Sequence, residues 1–200
     1  MKLALLALLW ALPAAAVESS DLFLESYALE SSYRYDAALE RLRVLDATGE
    51  NAYVLQLRRG WLLYLLGRYA ESVDAYQGAI HAQPAVEARL GLTLPLMALR
   101  RWKDAELACK EILGVAPGNQ LALTRYAYVL YNQGRFAEAE RAYQVVIDQY
   151  PADLEMWAGL GWSQVKQGHK SQACAAFDTV LRFSPDHASA LEGRQSCSAP

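Results

Sequence analysis

The side chains from which catalytic and metal sites are usually built are scarce in this sequence. Its three histidines, His81, His169 and His187, share no repeated spacing and no pairing with an acidic residue. We therefore expect them to be solvated surface residues rather than general bases or metal ligands. His187 and Cys197 are the only loose pairing of metal-binding types, and no phosphate-binding glycine loop or nucleophile elbow occurs. The sequence thus predicts no catalytic, cofactor or metal site and a protein that is not an enzyme.

Composition and charge describe a globular chain of about one domain. The sequence has 200 residues, of which 54% are hydrophobic and 20% are charged. The formal net charge is −3, and basic residues gather only in short groups such as 41–43 and 100–103. These groups fall short of the one-faced basic footprint that nucleic acid requires. We expect neither nucleic acid nor an anionic membrane surface as a partner.

The first sixteen residues have the organisation of a secretory signal peptide. A lysine precedes the apolar run of residues 3–12, and a proline and three alanines follow it. The run is shorter than the roughly 20 residues that cross a bilayer, which argues against the alternative of a membrane anchor. We expect cleavage after Ala16, a mature chain that starts at Val17 without an integral membrane span, and a periplasmic or otherwise exported location.

A period of about 34 residues organises the rest of the sequence. One row of this period contains Tyr35, Tyr69, Trp102, Phe136 and Lys170, and a second contains Pro84, Pro117, Pro151 and Pro185. Such a period is typical of a stack of repeated helical hairpins. Because proline cannot continue a helix, each proline marks the end of a hairpin. The predicted hairpins span about residues 19–52, 53–85, 86–119, 120–153 and 154–187.

Each of these blocks is expected to hold two helices joined by a turn. In the fourth block, residues 121–132 and 136–149 contain no helix breaker, and Gly134 between them can adopt a positive φ. Small residues stand twelve positions apart in the two helices of each block, where they would let the helix backbones approach closely. The pairs are Ser26 with Ala38, Gly60 with Ser72, Thr93 with Ala105, Ala127 with Ala139, and Gly161 with Ala173.

Two segments, the first helix of the third block and the residues after Pro185, depart from the regular pattern. In the third block Pro95 falls inside the first helix, which we expect it to kink or shorten. After Pro185, residues 186–197 are expected to form a capping helix, because the terminal hairpin would otherwise leave an apolar face in water. Asp186 is its expected N-cap, and Leu191 is expected to face the last hairpin.

These rows resemble the sequence pattern of the tetratricopeptide repeat (TPR) family, from about Ser19 to the C-terminus. The matching residues include Gly134, Phe136, Ala139, Tyr143, Val146 and Pro151, and then Gly161, Gly168, Ala173, Phe177, Val180 and Pro185. Lys170 stands where the family has an aromatic residue, and the second block is one residue short. The resemblance implies an all-α fold in an exported bacterial-type protein: a right-handed solenoid of about five helix-turn-helix repeats over residues 17–200, with a C-terminal capping helix.

In this family the first helices of the repeats line a concave groove that takes an extended peptide or a partner helix. The resemblance therefore implies a partner-binding groove here, rich in aromatic residues with a few cations, which is the composition of binding hot spots. The expected lining is Tyr27, Arg58, Trp61, Tyr64, Leu94, Arg125, Tyr128, Tyr131, Trp162 and Lys166, with Phe23, Leu90, Met97 and Thr124 on the same faces. Some of these rings could instead pack only against a neighbouring helix.

Two functions from different classes remain open at this point. The first is an exported adaptor that binds a segment of another protein and assembles a cell-envelope complex. The second is a binding module for a small or polymeric ligand, such as a glycan stacked on the groove aromatics. We favour the adaptor because few polar side chains are interleaved with the rings. Family members that hold a terminal carboxylate use Lys and Asn at this face, whereas here Arg58 and Arg125 stand among aromatic residues, which favours an apolar or aromatic segment.

The three cysteines allow either one disulfide within the chain or three free thiols. Cys174 falls in the second helix of the last block and Cys197 at the end of the capping segment, so the two can approach within bonding distance. Cys109 occupies a packing row with Tyr76, Tyr143 and Phe177, where a thiol behaves as a small buried hydrophobe. We expect a disulfide between Cys174 and Cys197 in an exported protein, with three free thiols as the alternative.

Overall fold

The computed structural model describes residues 19–47 and 52–198, which fall into two compact units. All regular structure in these ranges is helical, so the predicted all-α fold is confirmed. The first unit holds α1 (Ser19–Ser31), α2 (Tyr35–Arg41) and a 3₁₀ helix (Leu42–Ala47). The second unit holds α3 (Ala52–Leu65), α4 (Tyr69–Ala82), α5 (Val86–Ala98), α6 (Trp102–Val115), α7 (Gln120–Asn132), α8 (Phe136–Gln149), α9 (Leu154–Lys166), α10 (Lys170–Phe183) and α11 (Ala188–Ser198).

The two periodic rows mark the ends of helices. The row from Tyr35 to Lys170 supplies the first residue of α2, α4, α6, α8 and α10, and each proline of the second row follows the end of an even-numbered helix by two residues. Consecutive helices of the second unit pack against each other in chain order. The second unit is therefore a stack of four hairpins followed by α11. The expected signal peptide and cleavage site lie outside the described residues.

The turns inside the hairpins place one residue in the left-handed region of backbone space. Glycine occupies this position in three turns of the second unit, with φ of 72° at Gly67, 76° at Gly134 and 79° at Gly168. Arg100 takes the same position between α5 and α6 with φ of 55°, and Tyr33 does so in the first unit with φ of 60°. Since a side chain at positive φ is strained, these two turns cost more to form than the glycine turns.

The small residues predicted to lie where the helices cross are buried. Ser26, Ala38, Ser72, Ala127 and Ala139 are all 0% exposed. Ser72 Oγ also donates a hydrogen bond of 2.7 Å to the carbonyl oxygen of Gly60, its predicted partner across the hairpin. The prediction that these positions belong to the core is therefore confirmed.

Pro95 does not shorten α5, contrary to one of the two expectations for it. The helix runs for 13 residues and continues to Ala98, the same length as α7 and α9. Pro95 lies in the last turn, where the missing N–H removes a single bond of the helix, and the ring is fully buried. The carbonyl of Pro95 still accepts a hydrogen bond of 2.9 Å from the N–H of Leu99.

At one register position of the even-numbered helices, each hairpin of the second unit contacts the segment that follows it. We call this contact a tie, and its type differs from hairpin to hairpin. Val73, Glu106, Glu140 and Cys174 occupy this position in α4, α6, α8 and α10. Glu106 accepts hydrogen bonds from Gln133 Nε2 (2.9 Å) and Arg135 Nη1 (2.7 Å), which follow α7. Glu140 accepts a bond of 2.7 Å from Gln167, which follows α9. The tie is thus apolar at α4 and hydrogen-bonded at α6 and α8.

Glu106 is the most strongly perturbed acid of these ties. Its burial alone would raise the pKa of the carboxyl group, but hydrogen bonds from Lys110, Arg135 and Gln133 outweigh burial and lower the pKa to about 2. The carboxylate is only 11% exposed and lies 2.6 Å from Lys110 Nζ. The charged form of Glu106 therefore contributes to the stability of this junction.

At α10 the tie is covalent, because a disulfide joins Cys174 to Cys197 of α11, with Cα atoms 5.7 Å apart. The third cysteine, Cys109, is free and 0% exposed. Ala190 and Gly193 are the other buried residues of α11, and a Cβ atom built on Gly193 would lie 2.2 Å from the ring of Phe177. Close contact with α10 therefore requires glycine at position 193.

Two expectations for the cap were wrong. The N-cap of α11 is His187, whose Nδ1 accepts a hydrogen bond of 3.2 Å from the N–H of Ala190, whereas Asp186 lies one residue too early. Leu191 is 43% exposed, because the buried stripe of α11 runs instead through Ala190, Gly193 and Cys197. The helix therefore meets the last hairpin through small side chains.

Candidate partner-binding groove

A cavity of about 700 Å³ lies in the second unit. Its wall comes from α5, α7, α9 and α11, and Tyr143 of α8 contributes a ring that is only 4% exposed. Aromatic rings and two methionines make up most of its apolar surface. The full lining is Met97, Thr124, Arg125, Tyr128, Tyr131, Tyr143, Glu155, Met156, Ala158, Gly159, Trp162, Lys166, Ser189 and Glu192.

Helical spacing explains why α9 contributes so many of these residues. Glu155, Gly159, Trp162 and Lys166 are separated by four, three and four positions, so they form one stripe along the helix. Eleven residues at about 1.5 Å each separate the two ends of the stripe by roughly 16 Å. Glu155 lies at one end of this stripe and Lys166 at the other, with the indole ring of Trp162 and the backbone of Gly159 between them.

The aromatic side chains of the cavity are held by contacts behind them. The indole Nε1 of Trp162 donates a hydrogen bond of 2.8 Å to Ser189 Oγ of α11, and its ring meets the edge of Phe177 with centroids 5.5 Å apart. Tyr128 packs against Trp102 in a similar way at 6.1 Å and remains 47% exposed. Such fixed rings lose little conformational entropy when a partner binds, which favours binding.

Arg125 is the cation in the wall of the cavity. Its Nη1 donates hydrogen bonds of 2.6 Å to the carbonyl oxygen of Leu90 and 2.7 Å to Thr93 Oγ1, both on α5. Burial lowers the pKa of the guanidinium group, although nearby Cys109 and tyrosines act in the opposite direction. The guanidinium group therefore has a fixed orientation relative to α5 and α7.

The structure brings together five of the ten predicted groove residues: Arg125, Tyr128, Tyr131, Trp162 and Lys166. Met97 and Thr124, expected on the same faces, also line the cavity. Tyr27 belongs to the first unit and is 50% exposed. Leu94 is half-buried in α5 and lies outside the lining.

Trp61 and Tyr64 also lie outside this lining, and they pack against neighbouring aromatic rings. Their rings stack with centroids 5.9 Å apart, and Tyr64 contacts Tyr69 of α4 at 5.6 Å. The expectation that Arg58 is an exposed cation is wrong, because this residue is 5% exposed. It lies three residues after Leu55 and four before Leu62, on the buried stripe of α3.

Sequence reasoning missed seven lining residues. Four of them come from α9 and two from α11, which had been treated only as a cap. The missed residues are Tyr143, Glu155, Met156, Ala158, Gly159, Ser189 and Glu192. A signal was present, because the 34-residue period relates Ser189 to Glu155, and Glu192 to Ala158 and then to Thr124. Continuing the period beyond the last hairpin would have identified α11 as a further lining helix.

His187 is more deeply placed than predicted for a solvated residue. Its side chain is 14% exposed, and its Nε2 lies 3.1 Å from Glu155 Oε1. With a proton on Nε2, the ring donates to Glu155 and accepts from Ala190, so both nitrogens are engaged.

Within residues 19–47 and 52–198, no group of three or more His, Cys, Asp or Glu is placed to hold a metal ion. No helix of these residues is long and apolar enough to cross a bilayer.

Comparison with solved structures finds the same arrangement of helices in proteins of low sequence identity. YrrB, described as a TPR protein with an unusual peptide-binding site, has a TM-score of 0.76 and 18% identity, over 89% of this chain and 92% of YrrB. A tetratricopeptide repeat protein of Parabacteroides merdae has a TM-score of 0.81 and 16% identity, over 89% and 71%. MamA of Desulfovibrio magneticus has a TM-score of 0.79 and 17% identity, over 86% and 99%. These likenesses show the fold.

Sequence comparison identifies the family to which the chain belongs. A curated relative, protein CTR9 homolog of Arabidopsis thaliana, is 35% identical over 97 residues, which is 48% of this chain but only 9% of the relative. Sequence profiles described as tetratricopeptide repeat match residues 23–92, 96–160 and 133–194. Because these matches cover most of the chain and the helices form the expected hairpins, the chain belongs to the tetratricopeptide repeat family.

Proposed function

We propose that this protein is an exported scaffold that binds a segment of a partner protein in the cavity between α5, α7, α9 and α11, and so assembles a cell-envelope complex. The observation that carries the proposal is the cavity itself, with fixed aromatic rings and cations at its wall. Its size lies within the range of ligand pockets, about 300–1,000 Å³. Tyr and Trp give a large contact area at low entropic cost, as expected of a binding hot spot.

Several features support a partner protein over a small metabolite. TPR proteins bind other proteins or peptides as a family, and the structurally similar YrrB is described as having a peptide-binding site. The cavity is open to solvent and is lined by side chains from five helices, so a peptide segment can enter it without rearrangement of the hairpins. Catalysis is not part of the proposal, since both ring nitrogens of His187, the histidine bonded to the lining residue Glu155, are already engaged.

Export is the second part of the proposal, and the organisation of the first sixteen residues supports it. Intact-mass measurement of the protein recovered from its native cells tests it, with Val17 as the expected first residue. Recovery of the chain from the cytoplasm with Met1 retained would contradict export but would leave the binding proposal in place.

Binding is tested by affinity capture from an envelope extract of the native cells. We expect the wild-type protein to retain a specific partner, and Tyr128→Ala/Lys166→Ala to retain at least about tenfold less, since both side chains line the cavity. The matched control is Trp61→Ala/Tyr64→Ala, which removes two rings outside the lining and should leave capture unchanged. Equal capture by the wild type and the cavity variant, or capture of polysaccharide in place of protein, would contradict the proposal.

A further inference from the structure

The second unit uses one repeated contact between successive hairpins, in which an aromatic ring packs against a glycine. Tyr76, Tyr143 and Phe177 occupy one register position of the even-numbered helices. Each ring lies so close to a glycine of the next odd-numbered helix that a Cβ atom there would come within 2.1–2.5 Å of it. These glycines are Gly91, Gly159 and Gly193. The ring therefore fills the space that the missing side chain leaves.

At the junction between α6 and α7, both members of this contact are replaced by other residue types. Cys109 stands in the register of the rings, and Arg125 stands in the register of the glycines. A thiol is much smaller than a phenol ring, so α6 leaves room where the other helices fill it. The guanidinium group of Arg125 uses this region to reach the Leu90 carbonyl and the hydroxyl of Thr93, a residue that is 0% exposed. Among the junctions within the second unit, only the one between α6 and α7, which lies at the cavity, shows this replacement.

In the part of the chain that the structure describes, Arg125 has no acidic partner. Among the described residues no carboxylate forms an ion pair with Arg125 or with Lys166. Burial raises the pKa of the Cys109 thiol to about 12 even though Arg125 lies nearby, so the thiol is neutral at physiological pH. Of the two acids of the lining, Glu155 of α9 is bonded to His187, and Glu192 belongs to α11. A partly buried cation without a counter-ion is costly, and an anionic ligand would offset that cost.

We propose that Arg125 is the residue that determines the specificity of the cavity and that it receives a carboxylate side chain of the bound segment, with Lys166 adding positive charge to the same lining. The occupant is thus a segment of another protein in which an acidic residue is flanked by bulky apolar residues. The apolar residues contact Tyr128 and Trp162, whose rings lie on the same stripes of α7 and α9 as the two cations. This inference rests on the proposed scaffold function and adds the chemistry of the partner.

The experiment restores the ordinary contact at this junction. The variant Thr93→Ala/Cys109→Tyr/Arg125→Gly reproduces the arrangement of Ala127, Tyr143 and Gly159 one repeat later, so a ring replaces the guanidinium group. A milder variant, Arg125→Gln, removes the charge but keeps a polar side chain at this position, and it serves if the triple variant fails to fold. The probes are two pools of N-acetylated, C-amidated octapeptides, one with a single Asp between Leu and Phe residues and one with Asn in its place. Capped ends exclude recognition of a terminal carboxylate.

Binding is followed by NMR at the indole Nε1–H of Trp162, at low salt. We expect the wild type to bind the Asp pool at least about tenfold more tightly than the Asn pool, and this preference to fall below about twofold in either variant. Equal affinity of the wild type for the two pools, or no binding of either, would overturn the inference, as would a preference that survives in both variants. Equal capture of the native partner by wild type and variant would also overturn it while leaving the scaffold function intact.

Discussion

The two halves of the second unit use their odd-numbered helices in different ways. In α3, Trp61 stacks on Tyr64, both rings are half-buried, and Arg58 is buried. In α7 and α9 the corresponding aromatic residues, Tyr128 and Trp162, border an open cavity. The same 34-residue period therefore places rings that stack on each other in α3, which we call the closed half, and rings that border the cavity in α7 and α9, the open half.

This difference follows from the neighbours of each ring. Trp61 stacks on Tyr64, which meets Tyr69, the first residue of the following helix. Tyr131, the counterpart of Tyr64 in α7, makes the same contact with Phe136 at 5.4 Å, so the difference lies at the tryptophans. Trp162 instead donates to Ser189 of α11, which holds the indole at the cavity wall. The register of a residue in a repeat thus predicts its helix face, whereas its exposure depends on the residue that meets it from the next helix.

The largest effect is expected from the disulfide, which fixes α11 in the open half. Cys174→Ser/Cys197→Ser should lower the free energy of unfolding of this end by about 3 kcal/mol, since the bond closes a loop with a sequence separation of 23. Hydrogen exchange should become faster in α11 and stay unchanged in α3. Thiol titration of the denatured, oxidised wild type gives the companion measurement: we expect one reactive thiol, and three would exclude the bond.

The stacked pair of the closed half is expected to contribute more to stability than a ring of the open half. Trp61→Ala should lower the free energy of unfolding by about 2–3 kcal/mol, because it removes a half-buried ring that stacks on Tyr64. Tyr128→Ala should cost less than about 1 kcal/mol, because half of that side chain is already exposed. Urea titration of both variants tests the contrast. Similar losses in the two variants would mean that the halves do not differ.

The ties between hairpins predict a pH dependence that the α4 junction lacks. The folded pKa of Glu106, about 2, lies below its ordinary value of 4.5. Its contribution is therefore complete above about pH 5 and is lost as the pH falls from about 4.5 towards 2.

Glu106→Gln should consequently destabilise the protein by about 1–2 kcal/mol at pH 7 and at pH 5, and by progressively less as the pH falls below about 4.5. Urea titrations between pH 7 and pH 3 measure the difference. The matched controls are Glu138→Gln, an exposed partner of Arg135, and Val73→Ala, whose cost should not vary with pH. A constant cost of Glu106→Gln over this range would exclude the proposed charge effect.

The smallest effect is expected from the turns that join the helices of each hairpin. Gly134→Ala should destabilise the protein by about 1 kcal/mol, because Gly134 has a φ of 76°. Arg100→Gly at the equivalent position should be neutral or stabilising by up to about 1 kcal/mol, because it relieves a side chain at positive φ. Thermal unfolding measures both, and a loss of stability in Arg100→Gly would show that its side chain makes a compensating contact.

The hairpins could be predicted from the sequence because each of their signals is local. Phe136 and Pro151 bracket α8, and the prediction of 136–149 for this helix agrees with its observed bounds. Pairs such as Ala127 and Ala139 identify the helix crossing, since a close approach excludes larger side chains. Such signals repeat five times, so one weak position such as Lys170 does not disturb the pattern.

The cavity was less predictable because its lining depends on contacts between repeats. Arg58 appeared as an exposed cation, although its spacing from Leu55 and Leu62 places it on the buried stripe of α3. Arg125 was assigned to the groove, but its relation to Cys109 was not recognised. A small thiol in place of a ring, opposite a large side chain in place of a glycine, can be identified only when it is known that these two rows contact each other. The lining role of α11 was missed for the same reason.

The disulfide between α10 and α11 also determines how the protein responds to force. Because Cys197 lies next to the end of α11, a pull applied at the C-terminus passes through the bond to Cys174 and bypasses the residues between them. Without the bond, the same tension would peel α11 away first and open the wall that carries Ser189 and Glu192. With the bond, the load reaches α10, and the cavity keeps its shape until the last hairpin itself yields. A tether attached at this end can therefore bear tension without opening the cavity.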